Sequence, residues 1–303
     1  MQKPFFSIVV VSLNPGERLK KTLDSIGNQT FTDYEVVLKD GGSTDDSLEK
    51  LKLDGYFENK NQIVIQQKRD KSIYDGMNQA VSLATGRYVL FLNCGDYFYS
   101  DRVLEEVAEF IHDDRKLKVS TAADNNLRSD LDCEKKNFAI EAVEVPKKIF
   151  YGNQYNRQQD TVVYSAPEIN DFTCYRNVPC HQVCFYDYRL FEKRAYDLKY
   201  KVRADYEHFL YSIYEENAVG VAMPVIVASY EGGGFSETKE NRKRSALEHK
   251  EITMKYLGKA KVFKYRCIMW LTLAPLRTLI AESPALSGMY NGVKNYIYKL
   301  LRK

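Results

Sequence analysis

The segment Tyr88–Asp96, YVLFLNCGD, joins a short apolar run to a polar turn that ends in a carboxylate. The apolar part, Tyr88–Leu92, predicts a buried β-strand. Desolvating an unpaired charge is costly, so Asp96 is either a solvated turn residue or a ligand for a cation. Mg²⁺ often takes only one or two carboxylates from a protein when phosphates supply its other ligands. Asp96 is therefore a candidate ligand for Mg²⁺ or Mn²⁺ held against a nucleotide diphosphate.

Further strands precede this one, and they alternate with helices. The predicted strands are Ser7–Leu13, Tyr34–Leu38 and Gln62–Gln66, and the predicted helices are Glu17–Asn28, a helix starting at residues 43–46, and Ile73–Leu83. This alternation predicts an α/β fold with a parallel sheet. Ligands of such sheets bind beyond the carboxyl ends of the strands. Asn14, Asp40, Asp70 and Asp96 follow successive strands, so we expect them at one edge of the sheet.

Two of the connections that follow strands have a second interpretation. In Asp40–Ser43 the glycines permit a tight turn and a close approach of the backbone, and the following helix can offer its amides to an anion. The same sequence also fits an ordinary strand–helix connection. Asp70 and Lys71 fit either a charged helix cap or part of a site. Four polar clusters at one edge favour a site.

Composition limits the classes of protein. A 303-residue chain with 44% hydrophobic and 28% charged residues is long enough for one large or two modest domains. The six cysteines form no CxxC pair, which favours free thiols in a reducing cytoplasm over a metal site at Cys180, His181 and Cys184. The N-terminal apolar run is too short for a signal peptide, so we expect the fold to begin at once.

Charge is distributed unevenly along the chain. Residues 239–303 carry 15 Lys and Arg against 4 Glu, a net charge of +11, whereas the preceding residues sum to −8. The apolar run Cys267–Ala281 is shorter than the roughly 20 residues that span a bilayer. This basic tail is either a helical appendage packed on the body or an interfacial anchor for an anionic membrane. No nucleic-acid-binding motif accompanies it, and we expect no nucleic-acid partner.

Several ordered motifs together resemble family 2 glycosyltransferases with the GT-A fold. SIVVVSLN (7–14), DGGSTDDS (40–47) and DKSIYDGMNQAVSLATGRYVLFLNCGD (70–96) are similar to the nucleotide-binding half of these enzymes. HQVCFYDYRLFEKRAYDLKYKVRADYEHFL (181–210) and SYEGGGFS (229–236) are similar to the acceptor half. The resemblance covers residues 5 to 237. It implies a catalytic domain over 1–237, with a nucleotide half to about 118 and an acceptor half from about 119, followed by a helical tail over 238–303.

The resemblance also implies roles for residues. Asp40 is expected at the base or ribose and Asp70 close to the base, with Asn14, Lys71 and Asn93 near the nucleotide. Asp96 is the expected metal ligand, although the family usually has an acidic pair where this chain has Gly95 and Asp96.

The acceptor half supplies the expected base. An inverting transfer needs one carboxylate to take the proton of the acceptor hydroxyl. Similar enzymes place it at the start of the helix that begins near Ala204, which makes Asp205 the first choice and Glu207 the second. His181 and Gln182 are expected to contact substrate or phosphate, and a lone histidine is otherwise a structural residue. The polar stretches 124–136 and 152–160 are predicted loops.

The triple-glycine segment 229–236 has two interpretations. Three consecutive glycines lose much conformational entropy on folding. A lid that closes over a diphosphate, with Gly233 and Ser236 as contacts, would justify them. A plain linker at the edge of the domain is the alternative.

The function expected from these features is inverting transfer of a hexose or N-acetylhexosamine from a UDP-sugar. The acceptor would be a hydroxyl of a glycan or lipid-linked molecule in surface polysaccharide synthesis, at the cytoplasmic face of the membrane. Two alternatives remain: a nucleotidyltransferase, or a non-catalytic membrane-associated scaffold that keeps the fold. Against the first, the loop SLNPGERL after strand one is not glycine-rich. In favour of the second, the metal turn has a single carboxylate.

Overall fold

The computed structural model of the protein describes residues 3–57, 63–114, 145–232 and 238–272. The chain divides into two compact units, Met1–Lys250 and Glu251–Lys303. The domain boundary expected at 237/238 stays a prediction. The predicted loop 124–136 lies outside the described residues.

The first part of the chain alternates strands and helices as predicted. Its elements are β1 (Phe6–Ser12), α1 (Arg18–Gly27), β2 (Tyr34–Asp40), α2 (Ser47–Leu53), β3 (Ile63–Gln67), α3 (Ile73–Val81) and β4 (Tyr88–Phe91). The helices bury the apolar face that their spacing predicts, as Leu19, Leu23 and Ile26 do in α1. Helix α3 begins after Ser72, whose hydroxyl accepts a hydrogen bond from the Asp75 amide at 3.2 Å.

The remaining elements are shorter and more varied. They are β5 (Tyr97–Phe98), α4 (103–114), β6 (Lys148–Asn156), β7 (Thr161–Val163), α5 (Asp171–Arg176), a 3₁₀ turn (His181–Val183), β8 (Cys184–Asp187), α6 (Arg189–Glu192), α7 (Ala204–Tyr214), β9 (Val219–Tyr230) and α8 (Lys239–Leu271). Helix α8 is interrupted at Gly258, which has φ 74° and ψ 164°.

The sheet has nine described strands in the order β3-β2-β1-β4-β8-β6-β9-β5, with β7 paired to β6. Strands β1 to β4 are parallel, with Val9 of β1 opposite Val37 of β2 and Phe91 of β4. Strand β8 runs antiparallel to both β4 and β6. The mixed α/β architecture with a parallel nucleotide half is therefore confirmed, and the carboxyl ends of β1, β2 and β4 meet at one edge.

The predicted loop over residues 152–160 is partly wrong. Gly152–Asn156 continue strand β6, and only residues 157–160 turn towards β7. The polar composition of residues 152–156 does not resemble that of a buried strand. Asn153 is nevertheless buried, and its Oδ1 accepts a hydrogen bond from the Ser165 amide at 3.1 Å. Pairing across the sheet decided the outcome over local composition.

The central strands β1 and β4 are apolar in sequence, and the structure buries them in the core. Ile8 and Val10 of β1 and Leu90 of β4 are fully buried. Each such side chain contributes roughly 1.5–3 kcal/mol relative to an exposed one. The polar turns at the strand ends are thus held on a rigid core.

Candidate active site

A cleft of about 740 Å³ opens beyond the carboxyl ends of the parallel strands. We call it the wide cleft. Four residues predicted from the sequence line it: Asp70, Lys71, Asn93 and Asp96. Four cationic side chains contribute to its walls: Arg18, Lys71, Lys201 and Arg244. A cleft of this size with several cations is suited to a phosphorylated ligand.

Asp96 is held rigidly at the edge of the wide cleft. The side chain is almost completely buried, Oδ1 accepts the Glu231 amide at 3.0 Å, and Oδ2 accepts Gln182 Nε2 at 3.1 Å. Burial raises the pKa of Asp96 above its ordinary value, although both hydrogen bonds act in the opposite direction. Gln182 holds this carboxylate, and its predicted contact with substrate or phosphate stays a prediction. A poorly solvated carboxylate of this kind favours a bound cation.

Gly95 has a backbone geometry that strongly favours glycine. Its φ is 104°, and a Cβ atom there would lie 2.7 Å from Glu231 Oε2. The carboxylate of Glu231, which also lines the wide cleft, therefore lies beside the position where the family usually has its first acidic residue. No local pattern indicates this contact, because Glu231 is 135 positions away from Asp96 along the chain.

Two other residues that sequence reasoning missed hold the same turn. Thr22 Oγ1 accepts the Gly95 amide at 2.9 Å and donates to the Asp96 carbonyl at 3.0 Å. Arg157 Nη2 donates to the Gly95 carbonyl at 2.6 Å, and its guanidinium lies 4.0 Å from the centre of the Tyr97 ring. The turn is thus fixed by contacts from α1 and from the β6–β7 hairpin.

Asp40 does not line the wide cleft. It is 1% exposed, and its carboxylate accepts the amides of Gly42 at 3.1 Å and Ser43 at 3.0 Å. Asn14 joins the same loop, because its Oδ1 accepts the Thr44 amide at 2.7 Å. Both residues shape the loop after β2, and their predicted contacts with a nucleotide stay predictions.

Asp70 forms a buried ion pair that the sequence did not indicate. Lys39 is fully buried, and its Nζ donates to Asp70 Oδ2 at 3.2 Å and to the Asp40 carbonyl at 2.9 Å. A Cβ atom on Gly41 or Gly76 would lie 2.7 or 2.9 Å from Asp70 Oδ2. The absence of a side chain at both glycines leaves the space that the Asp70 carboxylate occupies.

A second cavity of about 210 Å³ contains the predicted base. We call it the narrow cleft, and Cys180, His181, Arg203, Asp205 and Ser245 are among its lining residues. Asp205 Oδ2 lies 3.0 Å from His181 Nδ1, and Oδ1 accepts Tyr74 Oη at 2.9 Å and the Tyr206 amide at 2.8 Å. Burial raises the pKa of Asp205, but the hydrogen bonds from His181 and Tyr74 outweigh it, so the pKa lies below its ordinary value.

Glu207 is not brought to either cleft. Its side chain is fully buried and pairs with Arg194 Nη2 at 2.9 Å. Residues two positions apart on a helix project from different faces, so α7 cannot present both Asp205 and Glu207 to one cavity. Of the two choices from the sequence, Asp205 lines one of these two clefts and Glu207 lines neither, so Asp205 remains our candidate.

Helix α7 also receives an unexpected support at its start. The Glu248 carboxylate accepts the backbone amides of Lys201, Val202 and Arg203 at 2.9, 3.0 and 2.9 Å. An anion at a helix N-terminus is favoured by the unpaired amides and the helix dipole. Glu248 lies within the sequence that we assigned to the basic tail, and it fixes the backbone immediately before Asp205.

Two predicted contacts cannot be placed, because Gly233 and Ser236 lie outside the described residues. Among the described residues, no group of three or more His, Cys, Asp or Glu side chains is arranged to hold a metal ion.

Comparison with known proteins identifies the family. The model of Glycosyl transferase family 2 matches residues 7–169. The chain belongs to glycosyltransferase family 2. This confirms the resemblance inferred from the motifs, and the parallel half of the sheet that carries the wide cleft is included in the match.

The chain is 33% identical over 241 residues to a PGL/p-HBAD biosynthesis glycosyltransferase of Mycobacterium bovis. The alignment covers 78% of this chain and 81% of that protein. The chain is 36% identical over 111 residues to a chondroitin synthase of Pasteurella multocida, covering 36% of this chain and 11% of that protein. The second likeness concerns only a segment of a longer family member.

Solved structures confirm the GT-A fold of this family 2 glycosyltransferase. S. aureus TarS in complex with UDP-GlcNAc matches with a TM-score of 0.59 and 18% identity, covering 84% of this chain and 72% of that one. Mannosyltransferase PcManGT from Pyrobaculum calidifontis in complex with GDP-Man and Mn²⁺ matches with a TM-score of 0.59 and 14% identity, covering 100% and 83%.

Proposed function

We propose that this family 2 glycosyltransferase transfers a hexose or N-acetylhexosamine from a UDP-sugar to an acceptor hydroxyl with inversion at the anomeric carbon. The observation that supports this most directly is the pair of clefts: the cation-lined wide cleft contains Asp96, and the narrow cleft contains Asp205. A donor diphosphate in the first and an acceptor in the second would meet near the wall between them.

Asp205 is the proposed general base. A carboxylate has about four acceptor positions, and three donors already use Asp205. Among the described residues, His181 is the one hydrogen-bond partner of Oδ2, which leaves an acceptor position on that oxygen for the hydroxyl of the acceptor. In the transfer the acceptor oxygen bonds to the anomeric carbon, the bond from that carbon to the diphosphate breaks, and Asp205 takes the hydroxyl proton.

The wide cleft fits a divalent cation bound together with a diphosphate. Asp96 and Glu231 both line it, and carboxylate oxygens are suitable donors for Mg²⁺ or Mn²⁺ when phosphate oxygens complete the coordination. We propose that these two residues would hold the ion. When bound, it would neutralise charge on the leaving diphosphate. Lys71 and Arg18 are suited to bind the same phosphates.

A glycan or lipid-linked acceptor is the preferred second substrate. The names of the relatives support this class, since one is a PGL/p-HBAD biosynthesis glycosyltransferase and another a chondroitin synthase. The family membership disfavours the nucleotidyltransferase alternative. The scaffold alternative is tested by turnover.

The decisive experiment is product analysis with a panel of UDP- and GDP-sugars, Mn²⁺ and candidate glycolipid acceptors. We expect acceptor-dependent release of UDP and a product whose new linkage has the anomeric configuration opposite to that of the donor, as determined by NMR. Release of pyrophosphate would favour the nucleotidyltransferase. Binding of UDP without turnover on any acceptor would favour the scaffold.

We further propose that the protein is peripheral at the cytoplasmic face of the membrane. In the unit 251–303, Phe263, Trp270 and Leu271 are 60%, 76% and 81% exposed, and the surrounding sequence is basic. Exposed apolar side chains can enter the headgroup boundary while Lys and Arg attract anionic lipid. Within the described residues, none of the helices is both long and apolar enough to cross a bilayer.

Vesicle sedimentation tests this location. The full chain should bind anionic vesicles more than neutral ones. In high salt, a Phe263→Ser/Trp270→Ser double variant should dissociate from anionic vesicles more completely than the native chain does. Binding that is the same for both lipid compositions would contradict the proposal.

A further inference from the structure

One chain of hydrogen bonds crosses the wall between the two clefts. Asn93 Nδ2 lies 2.9 Å from His181 Nε2, and His181 Nδ1 lies 3.0 Å from Asp205 Oδ2. Asn93 lines the wide cleft, whereas His181 and Asp205 line the narrow one. The His181 side chain is 12% exposed, so water has little access to compete for these contacts.

The partners of His181 favour one tautomer of its ring. An amide nitrogen only donates, so Nε2 must accept from Asn93 through its lone pair. A neutral ring then has its single proton on Nδ1, where it donates to Asp205. That hydrogen bond stabilises the ionised carboxylate, which is the form a general base requires.

We infer that Asn93 and His181 are positioning residues for Asp205: Asn93 selects the tautomer of His181, and His181 keeps the carboxylate ionised and oriented towards the narrow cleft. The inference rests on the proposed function of Asp205 as the base. It gives His181 a role other than the substrate contact predicted from the sequence.

The consecutive residues His181 and Gln182 each form a hydrogen bond with an aspartate, one in each cleft. His181 bonds Asp205, and Gln182 bonds Asp96, both from the same 3₁₀ turn. Asn93 connects the two clefts, because its backbone carbonyl accepts a hydrogen bond from the Asp96 amide at 2.9 Å and its side chain contacts His181. The turn that carries the proposed metal ligand and the support of the proposed base therefore share one residue.

NMR of the full chain labelled with ¹⁵N-histidine tests the tautomer directly. The chain has four histidines, and the signals of His181 are those absent from His181→Asn. We expect a protonated Nδ1 and an unprotonated Nε2 in the native chain, and loss of this single tautomer in Asn93→Ala. Asn78→Ala is the matched control: Asn78 bonds the Tyr196 backbone, so its loss should lower thermal stability and leave the His181 signals unchanged. A protonated Nε2 in the native chain would overturn the inference, since Asn93 would then have to present its oxygen.

Steady-state kinetics test the consequence. A base displaced by about 1 Å can cost about 10²-fold in rate. We expect His181→Ala and Asn93→Ala each to lower kcat by about 10- to 100-fold, and His181→Ala to leave the donor KM nearly unchanged because His181 does not line the wide cleft. His181→Asn keeps a donor towards Asp205 and should recover most of the kcat lost in His181→Ala. Equal kcat in native and His181→Ala protein would refute the positioning role. A native chain that shows the expected ring signals but transfers no sugar would support the hydrogen-bond chain and refute the proposed function instead.

Discussion

Asp96 in the wide cleft and Asp205 in the narrow cleft are both held by hydrogen bonds, yet the two carboxylates differ electrostatically. Burial raises the pKa of Asp96, whereas donors from His181 and Tyr74 lower that of Asp205. Asp96 receives one backbone amide and one neutral side-chain amide. Asp205 receives a ring nitrogen, a phenol and a backbone amide.

This difference assigns different chemistry to the same residue type. A carboxylate with few donors and little solvent gains most from a cation, which supplies the missing positive charge. A carboxylate with several donors stays ionised without a cation and can accept a proton in the transition state. Groups whose environments move their pKa values in opposite directions are a common sign of divided roles in an active site.

The strongest test of the narrow cleft is Asp205→Asn, which keeps the shape of the side chain and removes the base. We expect kcat to fall by about 10²–10⁴, the usual share of general-base catalysis. The affinity for UDP, measured by titration calorimetry, should change little because Asp205 does not line the wide cleft.

Glu215→Gln is the control for this variant, since it removes an exposed carboxylate at the other end of α7. Its kcat should match that of the native chain. Near-normal turnover of Asp205→Asn would show that another residue is the base. The proposed division of roles between Asp96 and Asp205 would then be wrong.

The corresponding test of the wide cleft is Asp96→Asn. We expect UDP binding in the presence of Mn²⁺ to weaken by roughly 10- to 100-fold, the range for losing a group that supports a metal. UDP binding without a divalent cation should change much less. Both affinities are measured by calorimetry with and without chelator.

Asp101→Asn removes an exposed aspartate nearby and serves as the matched variant. It should bind UDP as the native chain does under both conditions. A loss of the same size with and without Mn²⁺ would assign Asp96 to the fold rather than to a cation.

Tyr74→Phe should reduce the electrostatic difference between Asp96 and Asp205 without removing either carboxylate. A hydrogen bond to a charged group contributes about 1.5–3 kcal/mol, so its loss should raise the pKa of Asp205 and lower kcat about tenfold. Because ionised Asp205 is the active form, the acidic limb of the pH–rate profile should move to higher pH.

Tyr196→Phe is matched to it, because the Tyr196 ring lies 5.5 Å from that of Tyr74 and its hydroxyl is buried without a hydrogen-bond partner among the described residues. Its pH–rate profile should not move. Identical shifts in both variants would mean that packing, not the hydrogen bond to Asp205, sets the profile.

The smallest expected effect concerns a titrating group in the core, away from both clefts. Burial lowers the pKa of His208 to about 4, although its hydrogen bond to the Arg194 carbonyl acts in the opposite direction. The unfolded chain binds a proton near pH 6.5 and the folded chain does not, so stability is lost as pH falls from about 6.5 towards 4. His208→Phe should reduce this loss by up to about 3 kcal/mol, measured by urea unfolding at several pH values.

His249, whose pKa burial also lowers to about 4, should leave a residual slope in His208→Phe. An unchanged slope would show that His208 is already protonated in the folded chain.

Much of the nucleotide half was predictable from the sequence. Period and composition predicted β1, β2, β3 and β4 to within about two residues, because buried parallel strands are nearly continuous apolar runs. Once these strands are parallel, the residues that follow them must meet at one edge. The order of strands in the first half of the chain is therefore enough to expect four residues in one cleft: Asp70, Lys71, Asn93 and Asp96.

The tertiary structure alone decided which groups surround those residues. Glu231 beside Gly95, Lys39 against Asp70, and Glu248 on the amides before Asp205 are contacts between residues that are far apart in sequence. No local pattern reports them, because each forms only when the chain folds. Local sequence specifies a backbone preference, whereas the field at a carboxylate is the sum of charges and dipoles brought together by folding. For that reason the sequence identified the two aspartates, and only the folded chain determined that one is poorly solvated and the other is stabilised by hydrogen bonds.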